Sequence, residues 1–594
     1  MAYEKYKDAL PEDTIARIQK IYQEKLDLTL DLCLSKRSDN IYSATLSDRR
    51  AHWNTCGKGT SDLFCSASAY GESMEHICNY FAYDLSVLSE EAKHSNNFER
   101  YPDEVLAPIS TLANYPDMML DIRQAYGCLN KKIISDDDLL KLWSEFLGRE
   151  TTPFVPYYSV KSGSFRLIPD ELVFFLCGSN GGGAGNTPEE AIGHGCDEIL
   201  ERFVKYEIYS KQLTPPAIPR SHLQEICPEL LDTIIALEEQ TGFSVIVKDA
   251  SLGKSFSVLA VALINQSASE YLVNFGAHPR FEIALERCLT ELFQAFSPGK
   301  KNPRKKMEKW SSATEKRCLF PQNWVTLLKD DSGAVPTSFF MDNPSWEFHP
   351  WKIYANDYTN KLGMEIQIKQ LLTIAPDVYI HDASYLGFPV FRVYIPTVSS
   401  SHIPFDEFQL ECYRIMERFP QIVEQCDFTK KNLQAIENTL FSPNTFVNGL
   451  IFRSIGESWF HLLHAALCYD LGLDDNAVEY LKLARTRYDE CLIRKIELTH
   501  NGYSAESIDH LLDLFYKKDI SAFAQKWVRL QAFKSTLQML QADGVTFSPR
   551  MMTSEDTKLA TDSLHIRLKS IMMEDLRTAS LADVLEGVRR DLLC

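Results

Sequence analysis

The sequence lacks the cysteine patterns on which disulfide frameworks and zinc ribbons depend. Its 594 residues contain 15 cysteines, an odd number, and no two of them form a CxxC pair. Small secreted domains are dense in cysteine, and zinc ribbons need closely spaced cysteine pairs. We therefore expect reduced thiols and a cytoplasmic protein.

Long apolar runs are missing as well. Residues 1–10 contain no apolar stretch of signal-peptide length, and no segment approaches the ~18 uninterrupted apolar residues of a membrane-spanning helix. Hydrophobic residues nevertheless make up 45% of the chain, which is typical of a globular protein and excludes general disorder. We expect no membrane partner.

Positive charge is scarce relative to negative charge. The chain has 62 lysines and arginines against 81 acidic residues, a formal net charge of −19. Such a surface repels a phosphate backbone, so no nucleic-acid partner is expected, whereas small cationic or metal-chelated ligands fit it better. A basic run at residues 300–309 is typical of a solvated loop.

Strand and helix signals alternate as far as about residue 400 and predict a mixed α/β domain. Residues 247–253 and 380–387 resemble each other, and each precedes an apolar strand, which indicates an internally duplicated strand-turn-strand unit. Apolar periodicity predicts helices at residues 12–34, 66–88 and 281–296. Strands are predicted at residues 41–46, 153–158, 172–177, 243–248, 255–265 and 271–275.

Beyond residue 402 the strand signals fade, and the chain is predicted to form successive helices such as 452–471 and 475–488. Their apolar spacing is typical of a helix-pair repeat. We therefore expect an α/β domain over residues 1–405 and an all-α helical-repeat domain over residues 406–594.

Three predicted helices carry oxygen-bearing side chains at one shared spacing, seven residues and then three. Residues three apart lie on one helix face, so the helices would direct these side chains to a common point if they packed together. Glutamate oxygens are hard ligands that suit Mg²⁺, and cations would offset the cost of burying several carboxylates. The three sets are Cys65/Glu72/Glu75, Ala191/Glu198/Glu201 and Ala284/Glu291/Gln294.

A glycine-rich loop at residues 178–187 leads into a helix that is predicted to begin at Pro188. Such a loop allows close backbone approach to a phosphate, and nearby Arg202 and Arg287 could hold phosphate oxygens. Neither this loop nor Gly57–Gly59 has the pattern of a Walker loop or a dinucleotide fingerprint. A nucleotide would therefore bind to a less common scaffold.

These segments together resemble the YcaO family. The resemblance is carried, in order, by Gly71–Glu75, Ser179–Asn186, Glu190–Arg202 and Gly276–Glu291, and it extends over about residues 1–405. The helical remainder resembles the tetratricopeptide-like extension of the stand-alone enterobacterial type. The family implies a YcaO-type domain with internal duplication.

The resemblance also implies an enzyme that uses ATP and Mg²⁺ to phosphorylate a backbone amide of a peptide or protein for modification, such as thioamidation. ATP would yield ADP and phosphate or, less often, AMP. By position, the Mg²⁺ ligands would be Glu72, Glu75, Glu198 and Glu201. The nucleotide contacts would be Lys7, Thr14, Asn186, Glu190, Arg202, Arg287 and Glu291, and no protein nucleophile is assigned.

This sequence departs from the family pattern at several positions. His76 replaces a usual arginine, and Gly183 stands where relatives can have serine. The C-terminus lacks the Pro-x-Pro-x-Pro end of azoline-forming members, which disfavours cyclodehydration. Stand-alone members are linked to ribosomal-protein methylthiolation, so a non-catalytic accessory or scaffold role of the helical repeats is the alternative. The expected partners are a peptide or protein substrate, a TfuA-like protein or methylthiotransferase, and a second copy in a homodimer.

A separate group of metal-binding residue types occurs in the helical region. Glu457, His461, His464 and Cys468 fall on one face of a predicted helix and could ligate zinc or iron. Histidines on an apolar face are more often packed or hydrogen-bonded. A third interpretation, a carboxylate-bridged di-metal oxidase, would need histidine at a ligand position within the ExxE sets. His76 follows such a position and does not occupy it, so this interpretation ranks last.

Overall fold

The computed structural model divides the chain into two compact units, Met1–Pro404 with Glu555–Cys594, and Phe405–Ser554. The predicted helical domain 406–594 is thus divided between two units, and its boundary at 405/406 lies outside the described residues. The structure describes residues 7–38, 40–48, 53–82, 88–93, 95–127, 135–147, 149–294, 307–319, 327, 333–354, 358–400, 429–437, 457–542 and 555–593.

The first unit is a mixed α/β structure, as the sequence predicts. Its helices are α1 Pro11–Ile21, α2 Asp62–Cys78, α3 Glu90–Lys93, α4 Pro116–Gly127, α5 Asp136–Leu147, α6 Asp170–Cys177, α7 Pro188–Lys211, α8 Arg220–Ile226, α9 Pro228–Thr241, α10 Phe281–Gln294, α11 Ser312–Leu319 and α12 Asn360–Leu372. Its strands are β1 Asp31–Ser38, β2 Ile41–Asp48, β3 Trp53–Gly59, β4 Val105–Pro108, β5 Thr151–Ser159, β6 Phe165–Pro169, β7 Gly182–Ala184, β8 Ser244–Asp249, β9 Val258–Asn265, β10 Glu270–Ala277, β11 Glu308–Lys309, β12 Tyr379–Asp382 and β13 Val390–Tyr394.

Within the described part of this unit, the strands form three antiparallel sheets. The smallest has the order β1-β2-β3, and a four-stranded sheet has the order β11-β10-β9-β8. The six-stranded sheet has the order β4-β5-β12-β13-β7, with β6 paired to β5. The register places Ile246 opposite Ala262 in the second sheet and Ile380 opposite Val393 in the third.

Helix α7 lies in a core shared by the two larger sheets. Its Ile199 and Leu200 belong to one hydrophobic cluster with Val273 of β10 and Val393 of β13. The side chains of β9 alternate, because successive residues of a strand point to opposite faces. Ala260 therefore packs in the α7 cluster, whereas its neighbours Leu259 and Val261 pack in a second cluster with α9 and α10.

The predicted duplication is present as two antiparallel hairpins, β8-β9 and β12-β13. Each turn begins with an aspartate that accepts a hydrogen bond from the backbone N–H two residues later, Asp249 from Ser251 at 3.2 Å and Asp382 from Ser384 at 2.9 Å. This side-chain mimic of a backbone turn explains why both segments share the Asp-Ala-Ser sequence.

Residues 172–177 were predicted as a strand and are part of helix α6. The prediction was wrong because a continuous apolar run carries no periodicity that separates a buried strand from a buried helix. Asp170 and Glu171 in the first turn favour the helix through its dipole. The predicted helix 12–34 also ends early, since Asp27 adopts a left-handed conformation and β1 follows.

The described residues of the second unit form a series of helices. A shared hydrophobic cluster joins Leu462, Leu481, Leu492, Leu512 and Phe523. The helices are α13 Lys430–Ile436, α14 Glu457–Leu471, α15 Asp474–Ala484, α16 Asp489–His500, α17 Ala505–Phe515, α18 Lys518–Gln525 and α19 Ala532–Ala542.

The chain returns to the first unit with α20 Glu555–Met572, α21 Leu581–Val584 and α22 Glu586–Leu593. Leu585 and Val588 are fully buried in the α7 cluster, and Arg577 pairs with Asp103 at 3.1 Å. Across the part of the chain that is described, no helix has both the length and the apolar character needed to cross a membrane.

Candidate nucleotide and metal site

Helix α2 positions Glu72 and Glu75. Its N-terminus is capped by the Ser61 hydroxyl, which accepts a hydrogen bond from the Phe64 N–H at 3.2 Å. Gly57 of β3 allows close packing, because a Cβ there would lie 2.1 Å from the Cys65 carbonyl oxygen. The Cys56 N–H then donates to Glu72 Oε1 at 3.5 Å. Strand and helix together direct the first ExxE pair inward.

Helix α7 begins where the sequence predicts, with Thr187 as its N-cap and Pro188 in its first turn. The glycine-rich segment before it, which includes strand β7, passes close to the helix. A Cβ on Gly183 would lie 2.2 Å from the Ala191 carbonyl oxygen, so only glycine fits this backbone path. A serine at this position would therefore require the backbone to move.

The carboxylates of α2 and α7 lie close enough to perturb one another. Burial, partly offset by Lys58, raises the pKa of Glu72 to about 7, and the charge of Glu198 contributes to the rise. Burial and the charges of Glu198 and Glu72 raise the pKa of Glu75 well above its usual range. Crowded carboxylates of this kind are stabilised by a divalent cation, so these residues fit Mg²⁺.

The four predicted Mg²⁺ ligands do not all converge on one point. Among the described residues, the three-ligand group with donor atoms within 4.8 Å of one another is in the second unit, and it contains none of these glutamates. Mg²⁺ keeps several waters and takes one or two carboxylates together with substrate phosphates. Spaced glutamates therefore fit a metal-phosphate complex better than a metal cage of protein ligands.

Two ion pairs lie next to these carboxylates, and each contains at least one residue that the sequence predicts for the site. Arg202 binds Glu198 one helical turn away, with Nη2 at 2.7 Å from Oε1. Glu291 of α10 forms an ion pair with Lys58 of β3, and Lys58 also lowers the pKa of Glu72. Lys58, a residue that the sequence did not assign to the site, thus links α2 to α10.

A second group, at the start of α7, brings together Lys7, Thr14, Asn186 and Glu190. Lys7 Nζ lies 2.9 Å from Glu190 Oε1, Thr14 donates to Asn186 Oδ1 at 2.8 Å, and Asn186 Nδ2 donates to Glu190 Oε2 at 3.3 Å. Burial opposes ionisation of Glu190, but the charge of Lys7 and the hydrogen bonds from Lys7, the Asp8 N–H and Asn186 outweigh it and lower the pKa. Glu190 is therefore a buried anion at neutral pH.

A third group surrounds Arg287. It includes Asp197, a residue that was not predicted for the site from the sequence. Asp197 Oδ2 accepts from Arg287 Nη1 at 2.9 Å, and its other oxygen accepts from Gln367 of α12. Burial raises the pKa of Asp197 to about 7, with a further contribution from Glu201. The sequence offered one signal for Asp197, its position directly before Glu198. It offered no signal for Gln367.

His194 lies near enough to all three groups to be affected by their charges. Its pKa is lowered well below the usual value by burial and then by Arg287, Lys7 and Lys58, one cation from each group. The imidazole is therefore neutral, and all the predicted contacts occupy one region around α7. Burial likewise lowers the pKa of His76 to about 4, so this imidazole carries no positive charge at neutral pH.

Residues 56–399 match the model of the YcaO family, which is described as an ATP- and Mg²⁺-binding cyclodehydratase. The chain is 30% identical to an uncharacterized protein of Haemophilus influenzae over 405 residues. It is also 30% identical to the ribosomal protein S12 methylthiotransferase accessory factor YcaO of Escherichia coli over 410 residues. Each match covers 66% of this chain and spans 65% of the relative's length.

The chain also resembles solved structures at low sequence identity. A YcaO protein from Methanopyrus kandleri bound with AMPPCP and Mg²⁺ has a TM-score of 0.40 and 17% identity, over 66% of this chain and 93% of that one. A heterocyclase in complex with substrate and cofactor has a TM-score of 0.43 and 19% identity, over 66% of this chain and 53% of that one.

Proposed function

This chain belongs to the YcaO family, whose domain binds ATP and Mg²⁺, and from that premise we propose that it activates a backbone amide of a peptide or protein in the cytoplasm. The amide oxygen attacks the terminal phosphate of ATP, ADP leaves, and phosphate later departs with the former amide oxygen when a nucleophile has added to the carbon. Sulfur as the nucleophile gives a thioamide, which is the modification that we favour.

One observation supports this proposal above the others: four cations of the region each pair with a carboxylate. Arg202 pairs with Glu198, Lys58 with Glu291, Lys7 with Glu190 and Arg287 with Asp197. A complex of phosphates and Mg²⁺ fits such a region, because it offers oxygen acceptors to the cations and a metal ion to the carboxylates. Phosphate oxygens accept from Lys and Arg, while carboxylates coordinate the metal.

The residues divide this work by their chemistry. Arg202, Arg287 and Lys7 would hold phosphate oxygens. The carboxylates of Glu72, Glu75, Glu198 and Glu201 would hold Mg²⁺ together with waters and phosphate oxygens, one or two carboxylates to each ion. Mg²⁺ supplies charge neutralisation to the transferring phosphoryl group. Asp197 and Gln367 fix the direction of Arg287. No protein nucleophile is needed, because positioning and electrostatic stabilisation account for this kind of transfer.

Thermal unfolding with Mg²⁺-ATP tests the metal and nucleotide roles. A ligand present at ~100 times its Kd stabilises the native state by about 2.7 kcal/mol, so we expect a clear rise in Tm. Glu198→Gln and Glu201→Gln should each remove most of this rise. Glu207→Gln, on the same helix but paired with Lys211, is the matched control and should keep it. An undiminished shift in the first two variants would contradict the assignment.

A second candidate function is suggested by the name of the Escherichia coli relative, an accessory factor for ribosomal protein methylthiolation. In that role the chain would support a methylthiotransferase, with its second unit as a scaffold. TfuA-like proteins and a second copy of the chain are the other proposed partners. Deleting the gene and restoring it with the Glu198→Gln variant separates the two functions, because a scaffold would still restore the modification and an ATP-dependent enzyme would not.

A further inference from the structure

The second unit contains a group of side chains that the nucleotide site does not use. His464 and Cys468 lie one turn apart on α14, and Glu437 lies at the C-terminal end of α13. One donor atom from each of the three residues lies within 4.8 Å of the other two. The sequence suggested the histidine and cysteine, but it could not show that Glu437 faces them from another helix.

These donors are sulfur, nitrogen and oxygen, which is a set suited to zinc rather than to Mg²⁺. In a tetrahedral zinc site with ligand bonds of ~2.0–2.3 Å, donor atoms lie about 3.3–3.8 Å apart. Glu437 Oε1 is already 3.2 Å from His464 Nε2. Small side-chain rotations would bring the three donors to the zinc-binding geometry.

Two further features point to a ligand. Glu437 Oε2 is buried and has no hydrogen-bond partner among the described residues, and leaving a buried polar atom unsatisfied costs about 1–3 kcal/mol. The ring of Tyr480 stacks on His464 with centroids 3.9 Å apart, which fixes the orientation of the imidazole. A cation between the three side chains would satisfy the carboxylate and use the oriented histidine.

Access to the site is from the glutamate side. His464 and Cys468 are only 2% and 1% exposed, whereas the Glu437 side chain retains 20% of its surface. We propose that Glu437, His464 and Cys468 bind one zinc ion, with a fourth position open to water or to another donor. The side chain of Glu457, which the sequence placed in this group, lies outside the described residues.

Zinc content of the full-length protein tests the proposal. After removal of metal with a chelator, addition of zinc and dialysis, elemental analysis should find one zinc per chain in the wild type. His464→Ala and Cys468→Ser should each reduce this to less than about a tenth. Cys491→Ser removes another buried thiol of the same unit and should retain the zinc. A wild type without bound zinc, or retention of zinc in all variants, would overturn the site.

Cobalt spectroscopy provides a readout that does not depend on the folding of a variant. Wild-type protein titrated with Co²⁺ should show a thiolate-to-cobalt charge-transfer band and the intense visible bands of a tetrahedral site. An excess of Mg²⁺ should not displace the metal, because a thiolate favours softer ions. Octahedral spectra without the charge-transfer band would show that Cys468 is not a ligand and would refute the proposal.

Discussion

Burial and nearby partners together set the charge states of individual residues in the proposed nucleotide region. Glu190 stays ionised because Lys7 and Asn186 bind it, whereas burial raises the pKa of Asp197 to about 7. Glu286 shows the same effect more simply. Burial and the charge of Glu282 raise its pKa from 4.5 to about 7, and its Oε2 has no hydrogen-bond partner among the described residues.

Glu286→Gln should make the ligand-free protein more stable at pH 8 but not at pH 5. Native Glu286 keeps its proton up to about pH 7, and the unfolded chain loses it near pH 4.5. The contribution of Glu286 to the free energy of unfolding therefore falls as pH rises from about 4.5 to about 7. Denaturant unfolding should show a gain of about 1–3 kcal/mol for the variant at pH 8.

The exposed Glu239 on α9 supplies the control for this experiment. Glu239→Gln should change stability by less than about 0.5 kcal/mol at both pH values. A gain for Glu286→Gln that is the same at pH 5 and pH 8 would show that the buried carboxyl does not titrate in this interval.

At the level of secondary structure, α7 is the element on which the site depends. It carries Glu190, Asp197, Glu198, Glu201 and Arg202, and it is buried between two sheets. The glycine-rich segment before it, residues 178–187, packs directly against the helix backbone at Gly183 and Gly185. Added Cβ atoms there would lie 2.2 and 2.6 Å from helix backbone atoms. This segment and the helix therefore form one packed unit that positions site residues.

Gly183→Ala should destabilise the protein and weaken Mg²⁺-ATP binding. The added methyl group overlaps the Ala191 carbonyl oxygen, so the loop or the helix must shift, at a cost of about 1–3 kcal/mol. Gly71→Ala is the matched control, because an added Cβ there meets nothing within 4 Å. Alanine within a helix is favoured over glycine, so this control should be neutral or slightly stabilising. Equal unfolding midpoints for the two variants would contradict the packing described for the loop.

Taken as a whole, the molecule uses its C-terminal residues to complete the unit that contains the proposed nucleotide site. Lys369 of α12 pairs with Asp591 at 2.6 Å, and Tyr80 donates to the sulfur of Met572 at 3.4 Å. Leu568 and Leu585 are fully buried. The first unit is therefore discontinuous in sequence, and the second unit is inserted before its last helices.

Leu585→Ala should lower the stability of the first unit by about 2–5 kcal/mol, because it leaves a cavity in the α7 cluster. In calorimetry, the transition that Mg²⁺-ATP shifts upward should move to lower temperature. Leu592→Ala, on helix α22 that directly follows Leu585, removes a side chain that is 42% exposed, and it should have little effect. If Leu585→Ala moved only a transition that is insensitive to Mg²⁺-ATP, the assignment of these helices to the first unit would be wrong.

Spacing is enough to place Glu72 with Glu75, and Glu198 with Glu201, on one face of a helix, and with the resemblance it gives the proposed Mg²⁺ ligands. Lys58 and Gln367 were not predictable. They belong to β3 and α12, and only packing brings them against Glu291 and Asp197. The same reason applies to Glu437, which acquires its possible metal partners from a different helix.

Fold class, the two hairpins and the start of α7 followed from local signals, because periodicity, turn residues and caps act over a few residues. The early end of α1, the helical state of residues 172–177 and the membership of residues 555–594 in the first unit required the folded molecule. These outcomes depend on contacts between segments far apart in sequence, and no local pattern records such contacts. The charge states around α7 have the same origin, since burial and distant partners set them together.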